Sequence, residues 1–282
     1  ARRVLSRWAS GVELGSHPRA VQLVSSLRVG FLDCASGCCS TVPTHHLPQG
    51  GAPVSCLRQS PENHVSAPSL HLYTDSSPNG FKASIALEEL GLPYQVSHVR
   101  IDQGEHRSPG FLALNPHGRI PVLVDHARGQ VVFESAAILL YLAEHGQGLL
   151  PRAPTARWDA ITWLMFHAAS VGPILGQRVH FEHFAEERYL PAVQRYQRLC
   201  EDAFSVLDAR LADHAYLAGA EYSIADIAHF AWLHIAELID IDFRRHRHLW
   251  RWYQQVGERP AVQRGVRIPE PATGPRRTPH DI

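Results

Sequence analysis

The stretch Leu72 to Leu92, LYTDSSPNGFKASIALEELGL, holds the groups whose types and spacing could do chemistry. Ser76, Ser77 and Asn79 bring two hydroxyls and an amide into a polar break, Asp75 to Gly80. Leu72 to Thr74 reads as a strand before it. From Phe81 the apolar residues Ile85, Ala86, Leu87 and Leu90 recur at helical spacing, until Gly91 and Pro93 stop the helix. A strand, a polar loop and a helix aim the loop donors and the free helix N–H groups at one point, with the positive end of the helix dipole behind them. Such a point stabilises an anion. The loop has no glycine fingerprint for a nucleotide and no Cys-x-x-Cys, so the anion suggested is a bound one, for instance the thiolate of a bound thiol. Ser77, Pro78 and Asn79 also suit a plain helix cap.

The chain has 282 residues, no formal net charge and 45% hydrophobic residues, enough for one large domain or two small ones. That balance gives no sign of a general nucleic-acid binder, and no apolar run is long enough to span a bilayer. Four of the five cysteines, Cys34, Cys38, Cys39 and Cys56, precede residue 60, leaving Cys200 alone in the folded body. One thiol builds no disulfide framework, which fits a reducing cytosol. The Cys34, Cys38, Cys39 cluster has no second pair at zinc spacing, so no metal is expected. Lys82, the sole lysine, reads as codon bias.

Residues 1–68 are rich in Ser, Gly, Pro and Arg and poor in acids, the composition of a disordered extension or leader. An α/β unit follows over 69–147. It has a strand over Tyr94 to Ile101, a polar loop over Asp102 to Arg107, a short helix over Pro109 to Leu114, strands at Val122 to Val124 and Val131 to Phe133, and a helix from Ala136 to Glu144. Residues 148–155 form a linker. Residues 156–268 read as helical throughout. Helices are expected over Trp158 to Ala168, from Ala185 or Glu186 through Leu211, over Ile227 to Leu238 after the capping box Ser223-Ile224-Ala225-Asp226, and over Leu249 to Val256, ended near Pro260. The tail 269–282 is expected to be disordered.

From Ser69 to about Ile268 the chain resembles a glutathione transferase, most of all the nu-class and related bacterial glutathione-dependent disulfide oxidoreductases. Five segments carry the resemblance: Ser77-Pro78-Asn79-Gly80, Arg119-Ile120-Pro121, Phe133 to Ile138, Gly172 to Gln177 with His180-Phe181, and Tyr222 to Ala228. It implies a thioredoxin-like N-terminal domain followed by an all-α C-terminal domain, in a cytoplasmic homodimer that uses glutathione as cosubstrate.

The resemblance also distributes roles. Ser77 donates to the glutathione thiolate and Asn79 adds a second donor; Ser76 is the rival hydroxyl, but the Pro-Asn-Gly register favours Ser77. Pro121, in the cis form, exposes the backbone of Ile120 to the cysteinyl part. Arg119 meets the glycine carboxylate. Glu134 accepts from the γ-glutamyl ammonium and Ser135 binds its carboxylate. His106 falls near a ligand-contacting loop position, and Arg195 resembles an arginine that reaches over from the second subunit. The implied work is thiol–disulfide exchange on a small disulfide, with peroxidase activity or conjugation of an electrophile beside it. Trp163, Phe166, His167 and Phe230 are the residues considered for the electrophile pocket. The other reading is a glutathione-binding regulatory or assembly module with little turnover.

Overall fold

A computed structural model of the chain describes residues 68–238 and 241–270. The expected leader, its cysteine cluster and the tail beyond residue 270 lie outside the described residues.

Strand β1 (Leu70–Thr74) alternates buried and half-buried residues, as a central strand packed on both faces does. Helix α1 (Pro78–Leu90) follows it, then β2 (Tyr94–His98), two 3₁₀ turns (Ile101–Gln103 and Glu105–Arg107) and α2 (Pro109–Leu114). The pair β3 (Val122–Asp125) and β4 (Gln130–Phe133) leads into α3 (Ser135–His145). The sheet order is β2-β1-β3-β4. Strand β1 is parallel to β2, with Leu70 opposite Tyr94, and antiparallel to β3, with Leu70 opposite Asp125. This is the mixed four-stranded sheet of a thioredoxin-like domain, and an all-helical domain follows it.

Two boundaries here differ from expectation by three residues, for local reasons. Helix α1 starts at Pro78, not Phe81, because proline at the first helical position has its φ preset and has no N–H to leave unpaired. Strand β2 stops at His98, not Ile101, because the buried Asp75 carboxylate accepts the Ile101 N–H at 3.1 Å and turns the chain away from the ladder. The stop at Gly91 is as expected: the residue is left-handed, at φ 61.

The helical part comprises α4 (Pro154–Phe166), α5 (Gly172–Val179), α6 (Leu190–Ala212), α7 (Ile224–Leu238), α8 (Arg247–Gly257) and α9 (Pro260–Gly265). The helix expected over Trp158 to Ala168 is part of a longer run. Alpha geometry from Pro154 passes through a π segment at His167–Val171, continues as α5, and ends in a second π segment at His180–Phe184. The wider π turn admits Pro173 without breaking the run. Helix α6 begins at Leu190, later than expected, with Pro191 in its first turn. Pro260 opens α9 rather than only ending α8.

One apolar core joins the two parts. Leu72, Ile85, Leu123 and Leu142 on the sheet side are continuous with Leu164, Phe204, Ile227 and Trp252 on the helical side. Helix α1 packs against α3, α7 and α9, so its N-terminal end is bordered by both parts of the fold.

Candidate functional site

A cleft of about 470 Å³ opens at the start of α1. Asn79, Lys82, Arg119, Glu134, Ser135 and Trp232 line it, with His167 and Gly172, Pro173, Gly176 and Gln177 of α5. The structure therefore brings Asn79, Arg119, Glu134 and Ser135 together from three separate segments.

The loop ahead of α1 is fixed by Asp75. Its carboxylate accepts the Ser76 N–H at 2.7 Å and lies 2.8 Å from His98 Nε2. Ser77 caps the helix: its Oγ accepts the Gly80 N–H at 3.1 Å, and its carbonyl accepts the Phe81 N–H at 2.9 Å. Its backbone is extended, as a cap requires. Gly80 is needed for space, since a Cβ there would sit 2.4 Å from the Asp75 carbonyl oxygen. Ser77 is half-buried and stands beside the cleft rather than among its lining residues; Ser76 is exposed.

Asn79 is held by two donors. Its Oδ1 accepts from Lys82 Nζ at 2.9 Å and from Trp232 Nε1 of α7 at 3.1 Å. With the oxygen occupied, the Nδ2 hydrogens are what the amide has left to offer a ligand. Trp232 lies close over Gly176, where a Cβ would approach its ring to 3.0 Å.

Lys82 is 3% exposed. Burial lowers its pKa to about 7, against the opposing field of Glu134. Its ammonium also donates to Ser135 Oγ at 3.1 Å. Behind it lie His167 and His229, rings 4.8 Å apart and edge to face. Burial drives both imidazoles down, His229 to about 4, and both feel the Lys82 cation. Both ring nitrogens of His167, and Nε2 of His229, are buried without a hydrogen-bond partner.

Glu134 takes φ 70, a left-handed conformation that costs a non-glycine residue about 1–3 kcal/mol. Its carboxylate makes no cap hydrogen bond to α3 and stays exposed at the cleft. Simple capping therefore does not account for Glu134. Across the cleft the Ile120–Pro121 bond is cis. The segment is tied back where Asn115 Nδ2 donates to the Arg119 carbonyl at 2.7 Å.

The other expected residues are placed less centrally. His106 is half-buried in its 3₁₀ turn, with Nδ1 buried and unpartnered. Burial and the charges of Arg107 and Arg119 lower its pKa. Arg195 is exposed on α6 beside Arg198 and Asp202, outside the cleft of its own chain. Of the four residues considered for an electrophile pocket, His167 alone lines the cleft. Phe230 stacks on Tyr253 at 5.1 Å and faces a different hollow. Cys200 is buried on α6 and its thiol is pushed up to about 11 by burial, the state of a packed and unreactive thiol.

Lys82 and Trp232 were not among the sequence candidates. Lys82 stood out only as the sole lysine; that it lies three residues after Asn79 on one helix face does not by itself say that it turns inward.

The N-terminal domain family of glutathione S-transferases matches residues 76–145, and the C-terminal domain family matches 166–260. The chain is 39% identical to the disulfide-bond oxidoreductase YghU of Escherichia coli over 224 residues, covering 73% of this chain and 76% of YghU. It is 36% identical to the Escherichia coli disulfide-bond oxidoreductase YfcG, covering 68% of this chain and 92% of YfcG. Among solved structures, it is similar to a glutathione transferase from Burkholderia graminis with two glutathione molecules bound per subunit. That match has TM-score 0.67 and 37% identity, over 74% of this chain and 91% of the other. Two domain families in the order the fold requires, together with relatives matched over most of their length, establish that this chain belongs to the glutathione transferase family.

Proposed function

We propose that the cleft binds glutathione, that the start of α1 stabilises its thiolate, and that the thiolate attacks a small disulfide. The observation that carries this reading is the convergence of Asn79, Arg119, Glu134 and Ser135 on one cleft. Their charges complement the tripeptide. Arg119 takes the glycine carboxylate, Glu134 the γ-glutamyl ammonium, and the Ser135 hydroxyl and N–H the adjacent carboxylate at the start of α3. Ile120 offers its backbone to the cysteinyl part as an added strand, and His106 closes the glycine end. The sulfur then lies at the α1 N-terminus, near Asn79 Nδ2 and the Ser77 hydroxyl, whose oxygen accepts from Gly80 while its proton remains free to donate.

A free thiol has a pKa of roughly 8.5, and a helix N-terminus with hydrogen-bond donors lowers it toward neutrality. The thiolate attacks one sulfur of the disulfide, a new glutathione–sulfur bond forms, and the other sulfur leaves as a thiolate that takes a proton from water. No protein cysteine takes part. Conjugation and peroxide reduction would use the same thiolate. The protein acts as a cytoplasmic homodimer in this reading. Trp158 and Met165, seven residues apart on α4 and 66% and 42% exposed, give an apolar face for the partner, and Arg195 would reach the partner's ligand.

A second reading is a glutathione-binding module with little turnover. It is favoured by 30% identity to the transcriptional regulator URE2 of Saccharomyces cerevisiae, over 68% of this chain and 66% of that protein. Purified protein assayed with glutathione and 2-hydroxyethyl disulfide, and separately with a chlorinated aromatic substrate, separates the two. Disulfide turnover above background supports the oxidoreductase. Bound glutathione with no rate on either substrate supports the module.

A further inference from the structure

Asn79 and Ser135 are chemically ambivalent. An amide presents either its oxygen or its hydrogens to a ligand, and a hydroxyl either accepts or donates. The ligand groups expected beside them, a thiolate and a carboxylate, accept only. Something must hold both side chains in the donating sense, and they share one partner: Lys82, three residues after Asn79 in α1, also reaches Ser135, 53 positions further on at the start of α3.

We propose that Lys82 is the positioning residue of the glutathione site, its buried ammonium engaging the oxygens of Asn79 and Ser135 so that both turn their hydrogens to the ligand. This rests on the reading that the cleft holds glutathione. Lys82 Nζ lies 2.9 Å from Asn79 Oδ1 and 3.1 Å from Ser135 Oγ. Trp232 Nε1 adds a second donor to the same Asn79 oxygen, so rotation of the amide would break two bonds. Lys82 also places a positive charge behind the two sites where the ligand is negative.

The groups around Lys82 set its protonation. Asn79 lies on its own helix, Glu134 and Ser135 at the start of α3, His167 on the π segment, and His229 and Trp232 on α7. Glu134 favours the ammonium, whereas burial opposes it and lowers the pKa to about 7. The neighbouring imidazoles are held neutral by the same burial. The carboxylate at Ser135 and the thiolate at Asn79 each favour the charged form, so a ligand that carries either should draw a proton onto Lys82 as it binds.

Two measurements test this. First, S-methylglutathione keeps the carboxylates and lacks the thiol proton. Its binding to wild type at pH 8, followed by calorimetry in buffers of different ionisation enthalpy, should take up a substantial fraction of a proton, and Lys82→Met should take up none. Second, ultraviolet titration of the thiolate in bound glutathione should show a pKa about one to two units higher in Lys82→Met than in wild type. Lys82→Gln, which keeps a donor without charge, should fall between them and serves if the methionine variant does not fold. Unchanged titration curves in variants that still bind glutathione, or equal proton uptake in wild type and variant, would overturn the proposal. Failure of wild type to bind glutathione or S-methylglutathione would instead sink the glutathione reading itself, and this inference with it.

Discussion

Helices α1 and α7 both start at a serine whose hydroxyl accepts a backbone N–H, from Gly80 at 3.1 Å in one and from Ala225 at 3.3 Å in the other. At the start of α7 both oxygens of the Asp226 carboxylate are used. Asp226 Oδ2 takes the Ser223 N–H at 2.9 Å and the Ser223 hydroxyl at 3.0 Å, while Oδ1 takes the Leu217 N–H at 2.9 Å and Trp252 Nε1 at 2.8 Å. Around α1 the opposite holds. The oxygen of Asn79 is occupied, its hydrogens face a cleft, and a lysine is buried behind it. A closed set of hydrogen bonds stabilises the fold. An open set leaves donors for a ligand, and both starts bury a charge to hold their sets, the pKa of Asp226 raised to about 6 by burial and that of Lys82 lowered to about 7. The two motifs look alike in sequence, and the donors left over distinguish them.

The largest expected effect lies at the closed start. Asp226→Ala leaves the Leu217 and Ser223 N–H groups and the Trp252 indole buried without an acceptor. Each such donor costs about 1–3 kcal/mol, so the loss should reach about 3 kcal/mol or more. Urea unfolding at pH 7 measures it, and glutathione affinity of the folded protein should be unchanged. A loss below about 1 kcal/mol would show that water replaces the carboxylate and that the set is not closed.

The open start should respond in the opposite direction. Lys82 has its pKa lowered from 10.5 to about 7 on folding. Between those values the unfolded chain binds a proton that the folded chain does not, so this residue makes wild-type stability rise with pH across that window. Below pH 7 both states are protonated and the full cost of the buried ammonium is present. Lys82→Met removes that cost. It should be more stable than wild type at pH 7, with the gap narrowing by about 2 kcal/mol at pH 9. A pH-independent gap would mean the ammonium carries little burial cost, and the contrast between the two helix starts would weaken.

Local features of both starts were legible in the sequence. Ser223-x-x-Asp226 announced a capping box, and Gly91 the end of α1. Asn79 stood out in the polar loop itself, whereas Arg119, Glu134 and Ser135 were found through the resemblance, because the chemistry of a tripeptide fixes which charges must meet it. The support behind them was not legible. The Asn79 to Trp232 contact joins residues 153 positions apart, and the Lys82 to Ser135 contact spans 53. Nothing local in FKASIALEEL says that Lys82 turns inward, because an amphipathic pattern places a lone lysine on the wet face. The π segment was missed for a related reason. Gly172-Pro173 reads as a break in a purely α pattern, and the π turn that carries the helix past it has no signature in the apolar spacing.

Ser77 tests whether one residue can belong to both classes, and its effect on stability is the smallest. As a cap it satisfies the Gly80 N–H, and Ser77→Ala should cost about 1 kcal/mol. As a thiolate donor it uses its proton rather than its oxygen, so the two roles do not compete. If it serves both, the alanine variant should lose that stability and also raise the pKa of bound glutathione. A hydrogen bond to a charged group is worth roughly 1.5–3 kcal/mol, which corresponds to about one to two pKa units. Asn79 Nδ2 and the helix N–H groups will absorb part of that. Glutathione affinity should change less than the pKa, because Arg119, Glu134 and Ser135 hold the rest of the tripeptide. Turnover should fall near neutral pH and recover partly at high pH. Ultraviolet titration on wild type and Ser77→Ala, beside a urea melt of each, reads both roles at once. A stability loss with an unchanged titration curve would place Ser77 with Ser223 among the purely structural caps and leave Asn79 as the side-chain donor to the sulfur.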